Sequence, residues 1–138
     1  MKNTILGLIM IVLISCQSNV SNEDIVKLNG YWEIEKVVLP NGENKEYKIN
    51  ETIDYFELKN SVGFRKKVMP QFDGKYLVND QQEKIKIIEK DNIFFIEYAT
   101  PYTKWKEEII KISENELVLK NKQDLEYYYK KATPFSLK

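Results

Sequence analysis

The strongest constraint on the fold is a series of short apolar runs that extends from about residue 30 to residue 131. The runs are rich in β-branched and aromatic residues, and apolar side chains alternate with polar ones, as at Ile85 and Ile87. Turn-forming residues interrupt the runs at intervals of about 8 to 12 positions. This combination is typical of half-buried antiparallel strands, whereas a helix would repeat its apolar positions every three or four residues.

Nine strands are predicted, at residues 31–39, 52–58, 64–69, 75–78, 84–89, 93–99, 105–112, 116–120 and 125–131. The connections are too short for crossover helices, so neighbouring strands should pair in the order of the sequence. We therefore predict an all-β, antiparallel up-and-down meander. It should close into a barrel of eight to ten strands, because closure removes exposed strand edges. The segment 21–28 is expected to form a short helix or to lie across one end of the barrel.

The N-terminus has a different composition. Residues 1–15 contain one lysine, an apolar run and the small residue Ser15, which precedes Cys16, the only cysteine. A permanent membrane-spanning helix needs about twenty apolar residues, so this shorter run is typical of a signal peptide. The segment Leu13-Ile14-Ser15-Cys16 resembles the bacterial lipobox. That resemblance implies cleavage before Cys16 and lipidation of its thiol; the alternative is an ordinary secretory signal with a chance cysteine.

These patterns divide the chain into a lipoprotein signal peptide at residues 1–15, a lipidated cysteine with a flexible polar tether at 16–27, and a barrel domain at 28–138. Stable anchoring takes at least two acyl chains, such as palmitate, and lipobox proteins carry two or three. The expected location is the cell envelope, with the membrane contacted through the N-terminal lipid. Gln17 is not the aspartate that retains many lipoproteins at the inner membrane, so the outer membrane is favoured.

Composition narrows the functional classes further. The chain has 21 basic and 21 acidic residues, so a basic surface for nucleic acid is not expected. Histidine is absent and the single cysteine is assigned to the lipid, which removes the usual zinc ligands, general base and thiol nucleophile. No glycine-rich phosphate loop occurs. We therefore expect no enzymatic activity, no cofactor and no metal site.

The first predicted strand opens with Gly30-Tyr31-Trp32, and this Gly-x-Trp pattern resembles the opening of lipocalin-like proteins. The segments 109–119 and 127–130 are similar to the closing hairpin of small lipocalin-like lipoproteins of Bacteroidetes. The resemblance spans residues 28–131. It implies that Trp32 plugs one end of the barrel beside Gly30, and that a basic residue of the last strand, Lys130 or Lys131, covers the ring.

The alternation also assigns side chains to the two faces of the barrel. The inward set is expected to comprise Trp32, Ile34, Phe64, Ile85, Ile87, Leu117 and Leu119. Arg65, the only arginine, lies with Lys66 and Lys67 between two turns. Such a run of charges is expected to lie on a solvated edge strand.

Four aromatic residues are candidate contacts for a ligand or a partner: Tyr102, Trp105, Tyr127 and Tyr129. Two functions remain open at this point. The first is the binding of a small apolar ligand in the barrel or its mouth. The second is interaction with an envelope protein through outer aromatic residues, as an assembly factor, inhibitor or immunity protein with a packed interior. An open cavity would favour the first function.

Overall fold

The computed structural model describes residues 20–48, 50, 52–71 and 75–132, and for residues 76–80 it describes the backbone alone. Within these residues a short 3₁₀ helix, Asn22–Leu28, precedes nine strands. The strands are β1 (Gly30–Val38), β2 (Asn44–Glu46), β3 (Ile53–Lys59), β4 (Val62–Pro70), β5 (Tyr76–Lys90), β6 (Ile93–Ala99), β7 (Lys104–Ile112), β8 (Glu116–Lys120) and β9 (Glu126–Lys131). The predicted signal peptide and Cys16 lie outside the described residues.

The strands form one antiparallel sheet in the order β2-β1-β3-β4-β5-β6-β7-β8-β9, and β9 pairs back to β1. In the described part of the chain, β1 and β3–β9 therefore close an eight-stranded barrel. Strand β2 pairs with the end of β1, beyond the residues of β1 that pair with β3. The predicted all-β meander and its closure into a barrel are confirmed.

Two hairpins show how the local sequence sets this register. The turn residues Asn60 and Ser61 have φ angles of 54° and 66°, and Asp91 and Asn92 have φ angles of 53° and 64°. Consecutive positive φ angles twist a two-residue turn to match the flanking strands, and Asn and Asp tolerate this conformation well. These turns join β3 to β4 and β5 to β6.

The strand prediction was wrong in two places. The runs 75–78 and 84–89 belong to one strand, because β5 continues through the polar residues between them and pairs there with β4. Strand β6 begins to pair with β5 only at Lys84. The part of β5 before Lys84 therefore extends beyond β6, and its side chains need not alternate between apolar and polar. Strand β2 was not predicted because its three residues are polar and exposed.

The interior is packed at one end of the barrel, which we call the closed end. The buried apolar cluster consists of Val20, Ile25, Leu28, Trp32, Phe56, Ile85, Phe94, Ile96, Tyr98, Ile109, Ile112, Leu117, Leu119 and Tyr129. The 3₁₀ helix lies against β3 and β7 and adds its apolar side chains to this cluster. It begins where the Asp24 carboxylate accepts a hydrogen bond from the backbone N–H of Ser21, at 3.0 Å.

The buried helix corrects the boundary of the tether predicted at residues 16–27. Val20 and Ile25 belong to the core, so the described domain already begins at residue 20. Because the surrounding residues are polar, the segment was predicted to be a tether, although two of its apolar side chains pack against the core. Among the described residues, no helix is long and apolar enough to cross a membrane.

The inward set differs from the prediction at Phe64. Ile34 and Ile87 pack against the core although they are only partly buried. Phe64 instead contacts Tyr55, with the ring centroids 6.0 Å apart, while the next residue, Arg65, lies beside the core residue Tyr98. Since successive side chains in a strand point to opposite faces, Phe64 lies on the outside of the barrel.

Candidate functional site

The closed end is plugged by Trp32, whose side chain is fully buried. Its indole N–H donates a hydrogen bond of 2.8 Å to the carbonyl oxygen of Leu28, which ties the plug to the 3₁₀ helix. The Lys131 ammonium lies 4.4 Å from the centre of the indole ring and donates to the carbonyl oxygen of Asn29 at 2.6 Å. A cation over an indole face is attracted by the ring's electron density.

Lys131, and not Lys130, therefore covers the ring. Lys131 pairs directly with Trp32 across β1 and β9, whereas Lys130 pairs with Glu33 and is exposed. The alternation of side chains along β9 explains the difference. Partial burial lowers the pKa of Lys131. Gly30 leaves room for this lysine, because a Cβ atom there would lie 2.9 Å from the Lys131 Nζ atom, and the φ angle of +119° also favours glycine.

The barrel interior also contains a group of polar side chains from five strands, which we call the polar cluster: Asp54, Arg65, Glu83, Tyr98 and Glu107. Arg65 donates hydrogen bonds from Nε and Nη2 to the two carboxylate oxygens of Glu83, at 3.2 and 3.1 Å. Its guanidinium lies 4.3 Å from the centre of the Tyr98 ring. The Oδ1 atom of Asp54 lies 2.8 Å from the Nζ atom of Lys67.

The expectation that Arg65 is a solvated edge charge was wrong. Its side chain is only 12% exposed, because it alternates with the outward residues Phe64 and Lys66. Burial opposes the charge of the guanidinium, but Tyr98 and the neighbouring carboxylates outweigh burial and raise the pKa of Arg65. The bidentate pair with Glu83 has the planar geometry for which arginine is suited. Arg65 thus links β4 to β5 inside the barrel.

The Glu107 carboxyl group is also buried, and the exposed fraction of the residue is 7%. Burial raises the pKa of Glu107, and the smaller influences of the Tyr98 hydroxyl and the Arg65 charge act in the opposite direction. The Tyr98 hydroxyl faces this carboxyl group but makes no hydrogen bond of ordinary geometry with the described residues. The polar cluster therefore holds three carboxyl groups close to one buried guanidinium.

A gap in the barrel wall lies at the opposite, open end. Strand β8 ends at Lys120, which pairs with Glu108, so no described strand covers residues 104–107 of β7 on that side. The chain turns away at Asn121, whose Oδ1 atom accepts hydrogen bonds from the backbone N–H groups of Gln123 and Leu125, both at 3.0 Å. An Asn side chain often stabilises a turn in this way.

This gap forms a cavity of about 800 Å³, which we call the rim cavity. Its aromatic lining residues are Phe95 and Trp105, and four lysines also line it: Lys104, Lys106, Lys120 and Lys122. The Trp105 ring stacks on Tyr98 with the centroids 5.2 Å apart and the planes inclined by 12°. Trp105 therefore connects the rim cavity to the polar cluster.

The other aromatic candidates occupy different positions. Tyr127 is half-buried, and its hydroxyl accepts a hydrogen bond from the Asn121 side-chain amide at 3.1 Å. Tyr129 is buried in the core. Tyr102 is 95% exposed and lies beside a smaller cavity of about 460 Å³, together with Lys67. Only Trp105 of the four lines the rim cavity.

Neither Phe95 nor the four lysines were predicted to belong to a site. A signal was present in the run Phe94-Phe95-Ile96, which is apolar on both faces of β6. Phe94 and Ile96 belong to the core, whereas Phe95 lies on the outer face, under the Lys106 ammonium at 4.8 Å from the ring centre. An apolar side chain on the outer face of a strand is therefore the clue to this cavity.

Comparison with protein families gives a match that agrees with the observed architecture. Residues 28–119 match the family described as lipocalin-like domain. Of the solved structures, a lipocalin-like protein from Bacteroides uniformis ATCC 8492 is similar, with 12% identity and a TM-score of 0.48 over 77% of this chain and 99% of that one. An uncharacterized protein from Bacteroides eggerthii DSM 20697 has 10% identity and a TM-score of 0.48 over 76% and 99% of the two chains. No curated protein matches the sequence. The family match covers most of the chain, which therefore belongs to the lipocalin-like domain family.

Proposed function

We propose that this protein is a lipid-anchored, ligand-binding lipoprotein of the bacterial cell envelope, and that it takes a small molecule in the rim cavity. The observation that carries the proposal is the cavity itself. Its volume of about 800 Å³ falls within the usual range for small-molecule sites, about 300–1,000 Å³. Phe95 and Trp105 supply aromatic contacts there, and a barrel of the lipocalin-like family has the capacity for such binding.

The packing of the interior favours the rim over the centre of the barrel. The closed end is filled by Trp32 and the rest of the apolar cluster. Nearer the open end, an apolar ligand would have to lie against the paired charges of Arg65 and Glu83, at a cost in desolvation. The apolar part of a ligand is better accommodated beside Trp105 and Phe95.

Replacement of the rim tryptophan tests this proposal. The probe is N-phenyl-1-naphthylamine, a neutral dye that fluoresces when it binds to an apolar surface, added to the full chain carrying Cys16→Ser. Trp105→Leu is expected to weaken dye binding at least tenfold, equivalent to about 1.4 kcal/mol, because it removes the largest aromatic contact. The measurement is a fluorescence titration, with energy transfer from tryptophan as a second readout.

The matched control is Tyr102→Leu, which removes an exposed aromatic residue from a neighbouring loop and is expected to leave the dye affinity unchanged. Thermal melts should show that both variants remain folded. Equal dye affinity of Trp105→Leu and the parent chain would overturn the rim site. A loss of affinity in Tyr102→Leu alone would instead assign binding to the smaller cavity.

The membrane attachment is the second part of the proposal and is supported by the lipobox-like segment that ends at Cys16. Cys16→Ser is expected to abolish incorporation of a palmitate analogue during growth and to leave an uncleaved precursor. Ser18→Ala, two residues away, should incorporate the label normally and should fractionate with the outer membrane. Labelling of the Cys16→Ser chain would contradict lipidation at this residue.

A second candidate function is supported by aromatic side chains on the outer face of the barrel. The rings of Tyr31 and Tyr55 have centroids 4.7 Å apart, and Phe64 lies next to Tyr55. Tyrosines in contact on an open surface are typical of protein-recognition sites. This surface would suit an envelope protein as partner, and photo-crosslinking from position 55 in cells would identify that partner.

A further inference from the structure

The rim cavity has an excess of positive charge. Its four lysines face two carboxylates, Glu108 and Asp124. Lys120 lies between these carboxylates, with its Nζ atom 3.8 Å from an oxygen of Glu108 and 4.0 Å from one of Asp124. The other three lysines make no ion pair with any residue that the structure describes. The whole chain has equal numbers of basic and acidic residues, so this excess is local.

The charges and the aromatic surface lie next to each other. The Lys106 Nζ atom is 4.8 Å from the centre of the Phe95 ring on the outer face. Trp105 lies between Lys104 and Lys106 in the sequence, so its ring points to the inner face, where it stacks on Tyr98, and it lines the cavity from that side of the gap. Residues 104–107 also have backbone groups on the side that no described strand covers. Backbone N–H groups at an open strand edge are hydrogen-bond donors for a polar ligand group.

The polar cluster fixes the direction in which a charged ligand would bind. Beneath Trp105, the cluster contains the carboxyl groups of Asp54, Glu83 and Glu107 with the guanidinium of Arg65, which is already paired with Glu83. A further negative group brought to this depth would meet like charges where little water screens them. An anionic group is therefore favoured at the outer lysines, with the apolar part of the ligand turned toward Trp105.

We infer that the rim cavity binds an amphipathic small molecule with an anionic head group, which Lys104, Lys106 and Lys122 hold, while its apolar body contacts Phe95 on the outer face and extends through the gap to Trp105. This inference rests on the proposed function, because it names the class of ligand for the same cavity. Lysine ammonium groups bind carboxylates and phosphates as compact point charges.

Three probes with the same tail and different head groups test the inference: 4-phenylbutyrate, 4-phenylbutylamine and 4-phenylbutanol. They are titrated into the full chain carrying Cys16→Ser, with tryptophan fluorescence and calorimetry as readouts. We expect the carboxylate to bind at least tenfold more tightly than the amine. Raising the salt from about 20 to about 300 mM should weaken binding of the carboxylate several-fold and leave the alcohol unaffected, because salt screens exposed charges.

The double variant Lys104→Gln/Lys106→Gln is expected to remove the preference for the carboxylate without changing the affinity for the alcohol. Its matched control is Lys59→Gln/Lys90→Gln, which makes the same change of charge at exposed positions near the closed end and should retain the preference. Equal affinities for all three probes in the parent chain, or tighter binding of the amine, would overturn the anionic class and leave the rim site standing. If neither these probes nor the naphthylamine dye binds, both the inference and the proposed function fail.

Discussion

Trp32→Ala is expected to lower the free energy of unfolding by about 3–5 kcal/mol, the usual cost of emptying a buried aromatic site. Three interactions are lost together. The indole leaves a cavity in the buried apolar cluster at the closed end, the carbonyl of Leu28 loses its hydrogen bond, and the Lys131 ammonium loses the ring beneath it. Denaturant melts of the full chain carrying Cys16→Ser measure the difference.

Trp32→Phe and Tyr102→Ala provide the comparison. Phenylalanine keeps most of the apolar volume but lacks the indole N–H, so its loss of stability should be intermediate. Tyr102 is 95% exposed, and removal of its side chain should change the free energy of unfolding by less than about 0.5 kcal/mol. A loss below about 1 kcal/mol in Trp32→Ala would show that the ring does not plug the barrel.

The plug illustrates what the sequence was able to predict. Gly30 and Trp32 open the first strand, and alternation along that strand alone places the tryptophan on the inner face. The choice between Lys130 and Lys131 depends on the register between β1 and β9, which are about a hundred residues apart. A shift of one residue in that register exchanges the two faces of a strand, so the local sequence could not decide which of the two lysines covers Trp32.

Arg65 shows a different limit. It lies among Lys66 and Lys67, and a run of basic residues is usually solvated. Its burial depends on Glu83, which β5 supplies from 18 residues away, and on Asp54 and Glu107 from two further strands. No periodicity in a single strand reveals that such partners converge inside a barrel. The sequence shows correctly that residues 65–67 are basic. Whether each of these side chains is solvated or buried depends on the partners that the tertiary fold brings to it.

The rim cavity is tertiary in origin as well. Trp105 was a candidate contact because it lies next to the loop that contains Pro101 and Tyr102. The cavity exists because β8 ends at Lys120 while β7 extends back to Lys104. The turn residues that follow Lys120 were visible in the sequence, but the relative lengths of the paired strands were not.

Arg65→Met is expected to destabilise the fold by about 3–5 kcal/mol, because removal of one partner of a buried ion pair leaves the remaining charge uncompensated. Methionine keeps an apolar side chain of similar length and fills much of the space. Glu83 would lose both of its hydrogen bonds from the guanidinium, and Glu107 would lose a neighbouring positive charge. Lys66→Met removes a positive charge from the adjacent residue on the outer face and should cost less than about 1 kcal/mol.

The pH dependence of the free energy of unfolding distinguishes a loss of charge from a loss of packing, because a loss of packing alone would not depend on pH. Arg65 opposes the rise in the pKa of Glu107 that burial causes, so Arg65→Met should raise this pKa further. A carboxyl group whose pKa is higher in the folded than in the unfolded state stabilises the fold while it is protonated. This stability is fully present below the ordinary pKa of 4.5 and is lost as the pH rises through the folded pKa. The deficit of Arg65→Met relative to the parent chain should therefore be larger near pH 8 than near pH 4.5.

The double variant Arg65→Met/Glu83→Met should recover part of the loss, because apolar replacement of a whole buried pair is often close to neutral. A deficit that is independent of pH, with no recovery in the double variant, would mean that the Arg65 side chain contributes through its volume and not through its charge.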